Sequence, residues 1–149
     1  MSKPIKKPYV VKGVNKVRAY EPILPLYNIP YLIYVGKTVS DAGDAAILEL
    51  GPNVKPNISV NTAAKAIHIV HEEYGDAYII LLGIDSCSKL LITAAHEALH
   101  ISWWIGDTIG LEYDAENHEA QTYIMQSIFG EAKAALEDYI KFYKLKTKL

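Results

Sequence analysis

Cysteine is nearly missing from this chain. Cys87 is the only one in 149 residues, so no intrachain disulfide can form and cysteine-based zinc sites are excluded. No apolar run approaches the roughly 20 residues needed to cross a bilayer, so no membrane span is expected. The first residues, Met1-Ser-Lys-Pro-Ile-Lys-Lys-Pro8, lack the apolar segment of a secretory signal, and none is expected. Internal repeats and low-complexity segments are absent. So is acid at the two ends: residues 1–18 hold Lys3, Lys6, Lys7, Lys12, Lys16 and Arg18, and residues 141–149 hold Lys141, Lys144, Lys146 and Lys148, with no Asp or Glu in either.

The chain is otherwise ordinary, with 50% apolar and 21% charged residues. Its length suits one domain burying about 68–70% of the unfolded surface. The net charge of −2 hides a partition, because all 17 acids lie between Glu21 and Asp138 beside only five lysines, leaving that stretch at −12. Basic ends on an acidic body suggest arms that dock on an acidic protein partner or on nucleic acid. The competing reading is that the lysines only solvate the ends.

Residues 1–30 carry Pro4, Pro8, Pro22, Pro25 and Pro30, which exclude a helix and predict a basic, extended arm with pieces of edge strand. Residues 31–149 then form a single domain ending in a basic tail. Tyr31 to Val35, stopped by Gly36, reads as a strand. Asp44 to Leu50 suits helix or strand: Ser40 and Gly51-Pro52 would bracket a helix, while Ile47-Leu-Glu-Leu50 alternates like a strand. Ala66–Glu73 and Ala77–Leu82 flank Tyr74-Gly75-Asp76 as a hairpin, with a helix from Thr62 to Tyr74 as the competing reading. Ser86 or Ser88 is placed to cap a helix that runs through Trp104 to a stop at Gly106. Asp107–Tyr113 is then a loop, and Asp114 can cap a second helix with Ile124, Ile128, Ala132, Leu136 and Tyr139 at helical spacing, bent or split at Gly130. The predicted class is α+β: a β-rich N-terminal half followed by an antiparallel helical pair.

The chemistry sits on the first helix of that pair, in His96-Glu97-Ala98-Leu99-His100. Positions i and i+4 are about 40° apart and ~6 Å apart along the axis, so both imidazoles can hold one ion. Glu97 projects about 100° round, where it can take a proton from metal-bound water. Thr93, His96, Glu97 and His100 form a polar stripe on a helix otherwise almost wholly apolar from Leu90 to Ile105. The bland reading is a solvent-facing stripe. Such stripes usually carry Lys, Arg or several Glu, whereas these groups buried without partners would each cost several kcal/mol, which a metal would relieve.

A third ligand follows from counting along the axes. The first helix runs about 9 Å beyond His100, and a returning helix from Asp114 brings Glu119 back nearly level with it. Tyr123 returns one turn further on. Glu116 is the next candidate, and His118, about 100° from Glu119, is the other. His68 and His71 face opposite sides of a strand and cannot pair there. That strand could line a cleft for an extended peptide, or be plain sheet surface. Trp103 and Trp104 read as core or interface anchors.

The series Thr93-Ala-Ala-His96-Glu97-Ala-Leu-His100, then Glu119-Ala-Gln-Thr-Tyr123 after 18 residues, resembles the gluzincin arrangement of thermolysin-like peptidases. The resemblance implies zinc held by His96, His100 and Glu119, with Glu97 as general base. Metzincins are excluded, because Trp103 and Gly106 stand where their motif needs Gly and His. The chain is also similar, over roughly residues 60–130, to small phage-encoded proteins with a β-rich first half, an HExxH helix and a downstream Glu-x-x-x-Tyr. On that reading the fold is a minimal zincin, and the chain is a zinc metallopeptidase acting on a peptide or protein. Zinc would polarise the scissile carbonyl and lower the pKa of its water toward ~7, and Glu97 would remove the proton. Tyr123 would donate to the oxyanion or support a ligand. The alternative is a structural or assembly component of a phage particle, with the metal as a staple and the basic ends docked on neighbouring subunits. Glu97 favours the enzyme, since a structural site has no use for it. Host-cell cytoplasm or the virion is the expected location.

Overall fold

The structure is a computed structural model and describes residues 6–54, 56, 58, 62–73, 75–85, 89–112 and 114–149. Strands β1 (Tyr9–Val10), β2 (Arg18–Tyr20), β3 (Ile23–Leu24), β4 (Ile29–Pro30) and β5 (Leu32–Gly36) precede helix α1 (Val39–Leu50). Strands β6 (Ala64–His71) and β7 (Gly75–Gly83) follow, then helices α2 (Leu90–Thr108) and α3 (His118–Phe142). The expected α+β class is observed, with three α-helices among the described residues. None of them is long and apolar enough to cross a membrane.

One sheet of five strands, in the order β1-β2-β5-β7-β6, organises the chain. Strands β5 and β7 run parallel to each other and the other neighbours are antiparallel. The run Ile79 to Leu82 is fully buried, as expected of a strand covered on both faces. On one face Ile67, Ile79, Leu81 and Tyr34 join Ala42, Ala45 and Ala46 of α1. On the other, Ile33, Ala66, Ile80 and Leu82 join Ala94, Ala98 and Ile101 of α2 and Ile124, Ile128 and Leu136 of α3. Small residues on both β6 and α2 permit a close approach of that helix to the sheet edge.

The β6–β7 hairpin forms, with Ala66 opposite Ile80 and His68 opposite Tyr78, but Gly75 and Asp76, expected in the turn, are the first residues of β7 and pair with His71 and Val70. The competing helix over residues 62–74 does not form. The ambiguous stretch before Gly51 is helical. Thr38 Oγ1 accepts from the Asp41 amide at 3.1 Å, and the Gly51 amide, at φ +95°, closes the last turn on the Ile47 carbonyl at 2.8 Å. Ser86 and Ser88, expected to cap α2, lie outside the described residues. That helix does not stop at Gly106. It continues to Thr108, and Gly110, at φ +75°, ends it: the Leu111 amide reaches the Gly106 carbonyl at 2.8 Å and the Gly110 amide reaches Asp107 at 3.2 Å. This is the paired closure that a left-handed glycine allows.

Asp114 caps a turn, not the helix: its Oδ1 accepts from the Glu116 and Asn117 amides at 2.8 and 3.0 Å, and α3 starts only at His118. Gly130 does not split that helix, which runs as one element from His118 to Phe142. Ser102 of α2 meets Gln121 near the connecting loop. The first residues of α2, Leu90 to Ile92, lie beside Thr147 to Leu149 beyond the end of α3. The two helices therefore run back along each other.

Part of the basic N-terminal segment is built into this body. The Arg18 guanidinium donates to Asp138 Oδ2 at 2.8 Å and lies 3.9 Å from the centre of the Phe142 ring. The Tyr20 hydroxyl shares the same carboxylate oxygen at 2.7 Å, and Tyr139 donates to the Lys16 carbonyl at 2.7 Å. Lys6 pairs with Glu21 at 2.9 Å. The segment thus supplies sheet strands and ties them to the end of α3.

Candidate metal centre

Helix α2 presents His96 and His100 one turn apart, both exposed, with their Nε2 atoms 3.2 Å apart. As neutral rings they form a hydrogen bond, one nitrogen donating and the other accepting. The same separation suits one zinc ion. Two Zn–N bonds of 2.0–2.1 Å at a tetrahedral angle place their nitrogens about 3.3 Å apart. The residue types and their span therefore fit two corners of a zinc site.

The desolvation argument for a metal does not hold. His96 and His100 occupy the exposed face of α2, together with Ile92, Leu99 and Trp103. The apolar stretch around the pentad is not matched by burial on every side, so water relieves these imidazoles without an ion. What supports a metal is the geometry of the pair.

Glu97 points elsewhere. Half-buried between α2 and the sheet, its Oε2 accepts a hydrogen bond from the Ala66 amide of β6 at 2.7 Å. In an antiparallel pair, amides alternate between facing the partner strand and facing away. Ala66 faces away from β7, and Glu97 fills that outward position on the sheet edge. The carboxylate therefore has a structural partner, which the sequence had not suggested.

The second helix carries Glu119 and His118 in exposed positions of its first turn. Glu119 is 89% exposed in its side chain, and its nearby group is His118 Nδ1 at 3.8 Å, itself 66% exposed. Gln121, Ile124 and Ile128 define the inward face of α3: Gln121 donates to Ser102 at 2.8 Å and the two isoleucines are fully buried. Glu119 precedes Gln121 by two residues, about 160° round the helix from that face. Glu116 is exposed in the Asp114 turn, and Tyr123 is half-buried against the core. Among the described residues no group of three His, Cys, Asp or Glu side chains is placed to hold a metal ion.

A further set of rings adjoins the pair. The Trp104 ring lies 5.8 Å from that of His100 at 24° and 5.8 Å from that of His68. His68 stacks on Tyr78 at 4.8 Å and bonds Asp76 Oδ1 through Nε2 at 2.8 Å, and the Tyr78 hydroxyl meets Thr108 Oγ1 at 2.6 Å. The hairpin register carries this signal: with His68 opposite Tyr78, Asp76 is its diagonal neighbour on the same face. His68 thus belongs to the ring layer beside the histidine pair, not to plain sheet surface.

An α+β chain with an HExxH helix packed against the edge strand of its sheet is what fold and site define. No protein-family model, curated protein or solved structure matches it.

Proposed function

We propose that this chain binds zinc through His96 and His100 and is a hydrolase of peptide bonds in the manner of the gluzincins it resembles. The 3.2 Å span between the two Nε2 atoms carries the reading. Zinc, when bound, supplies a Lewis acid for a carbonyl oxygen and lowers the pKa of water. The chain supplies the rest. Glu97 keeps one carboxylate oxygen on the Ala66 amide, and its second oxygen is the one left to accept a proton. Strand β6 offers the outward backbone positions of His68 and Val70, on which an extended peptide can pair as an added strand. Glu119 is the third protein ligand implied by the resemblance.

The test is metal content together with turnover. Protein purified without added metal should carry about one zinc, and the His96→Ala, His100→Ala double variant should carry none. Equal zinc in both would end the proposal. Glu119→Ala should lower zinc affinity if that residue closes the site and leave it unchanged if a two-histidine site suffices. Glu97→Gln should keep the zinc and lose peptide hydrolysis by ~10²-fold or more.

A second reading, a subunit of a phage particle, is favoured by the position of β6, which pairs with β7 alone among the described strands and whose Val70 is 72% exposed. An unpaired edge also suits pairing with a neighbouring subunit. On that reading both wild type and Glu97→Gln are inert toward mixed peptides and assemble alike.

A further inference from the structure

Next to the histidine pair, α2 carries a groove of about 600 Å³ lined by Leu99, His100, Trp103, Trp104 and Asp107. Asp107 lies two turns beyond His100 on the same helix face, about 10 Å along the axis. A chain passing the histidines in that direction meets two indoles and a leucine first and a carboxylate last. Trp103 and Leu99 are about half exposed, at 52% and 45%, so the apolar floor is open to a ligand.

The far end of the groove is negative. Asp76 and Asp107 both lie near the Tyr78 hydroxyl: its pKa is raised, first by burial, against a lowering hydrogen bond with Thr108, and then by these two carboxylates. Residues 90–130 contain no Lys or Arg and six acids, Glu97, Asp107, Glu112, Asp114, Glu116 and Glu119. The position of Asp107 is also unfavourable for the helix itself. It lies in the last turn of α2, where the negative end of the helix dipole disfavours an anion. A cation in the groove would relieve it.

We infer that the groove takes the side chain of a lysine or arginine in an extended peptide, its stem on Leu99 and Trp103 and its charge beside the half-exposed Trp103 indole and against Asp107. Long cationic side chains bury an apolar stem and keep the charge at its end, and an indole face attracts that charge. The inference rests on the hydrolase reading and names its substrate class, peptides cleaved beside a basic residue. An uncharged side chain of equal length would keep the stem contact only, and a glutamate would be repelled.

Capped pentapeptides, acetyl-Ala-Ala-X-Ala-Ala-amide with X as Lys, Arg, norleucine or Glu, separate these cases. They are titrated into the full chain, metal-free and again as the zinc-loaded Glu97→Gln variant, with indole fluorescence as the readout. Lys and Arg should bind about 3- to 10-fold more tightly than norleucine, with Glu weakest. Asp107→Asn should bring Lys down to norleucine, and Asp107→Lys should make Glu the best of the four. A lysine at that helix end suits the dipole, so the variant should fold. Equal binding of Lys and norleucine, a preference that survives Asp107→Asn, or no fluorescence response to any peptide would overturn the inference. The metal-free titration does not depend on zinc, so a preference there stands even where the zinc reading fails. Zinc binding without a preference removes this inference alone.

Discussion

Replacing Glu97 by alanine and by glutamine separates its hold on the fold from its chemistry. Alanine removes a short, charge-assisted hydrogen bond from the Ala66 amide and leaves that amide on the sheet edge without its acceptor. Hydrogen bonds to charged groups contribute about 1.5–3 kcal/mol. The site is half-buried, so water replaces part of the loss, and we expect a cost of ~2 kcal/mol. At a urea dependence of about 2 kcal/mol/M, the unfolding midpoint should fall by about 1 M. Glutamine keeps a carbonyl oxygen of the same reach and loses only the charge, so its cost should stay near 0.5–1 kcal/mol. Equilibrium urea unfolding followed by circular dichroism measures both. An alanine variant within ~0.2 M of wild type, or a glutamine variant as damaged as the alanine one, would refute the anchoring of Glu97 on β6.

Asp138→Ala should destabilise the fold by ~2–3 kcal/mol, because it strands the largely buried Arg18 and the Tyr20 hydroxyl together, and Asp138→Asn should cost less; urea midpoints decide. The hydroxyls of Tyr9, Tyr20, Tyr31, Tyr34 and Tyr139 all have pKa values raised, in each case chiefly by burial. The fold favours their protonated forms, so that stability is fully present below the unfolded value near 10 and is lost as pH rises above it. The tyrosinate absorbance of these five should therefore appear late and together with loss of circular dichroism; ionisation of all eleven tyrosines near pH 10 in a still-folded chain would contradict these assignments. Zinc at 1,000 times its dissociation constant should add about 4 kcal/mol to stability, seen as a higher Tm that chelation reverses, and the His96→Ala, His100→Ala variant should show no such shift.

The parts of the fold that were legible were those with one strong local pattern. The run Tyr78 to Leu82 is apolar on every residue, and such a run has few places to go but a doubly covered strand. Asp44 to Leu50 is ambiguous in the sequence because Ile47-Leu-Glu-Leu50 fits either period; the Thr38 cap and the left-handed Gly51 resolve it, and both are local facts of conformation. Gly106 was a plausible stop, but a glycine ends a helix by adopting positive φ, and Gly110 does so. The histidine pair was readable because i and i+4 spacing fixes both axial level and azimuth within one helix. Glu119 is on another helix. Counting residues gave its level, whereas its azimuth depends on how α3 rolls, which Gln121, Ile124 and Ile128 set by packing. The bond from Glu97 to Ala66 spans 31 residues and depends on how closely α2 seats on the sheet, which no local pattern encodes.

That bond changes what can be read from the pentad in any sequence built like this one. A sheet margin with a bare amide invites unwanted partners, and the carboxylate at position 97 closes one such opening. Selection for clean folding alone would therefore keep a glutamate between the two histidines, even in a chain that has never cut a peptide. The letter most often taken as the signature of the reaction is here a guard on the fold.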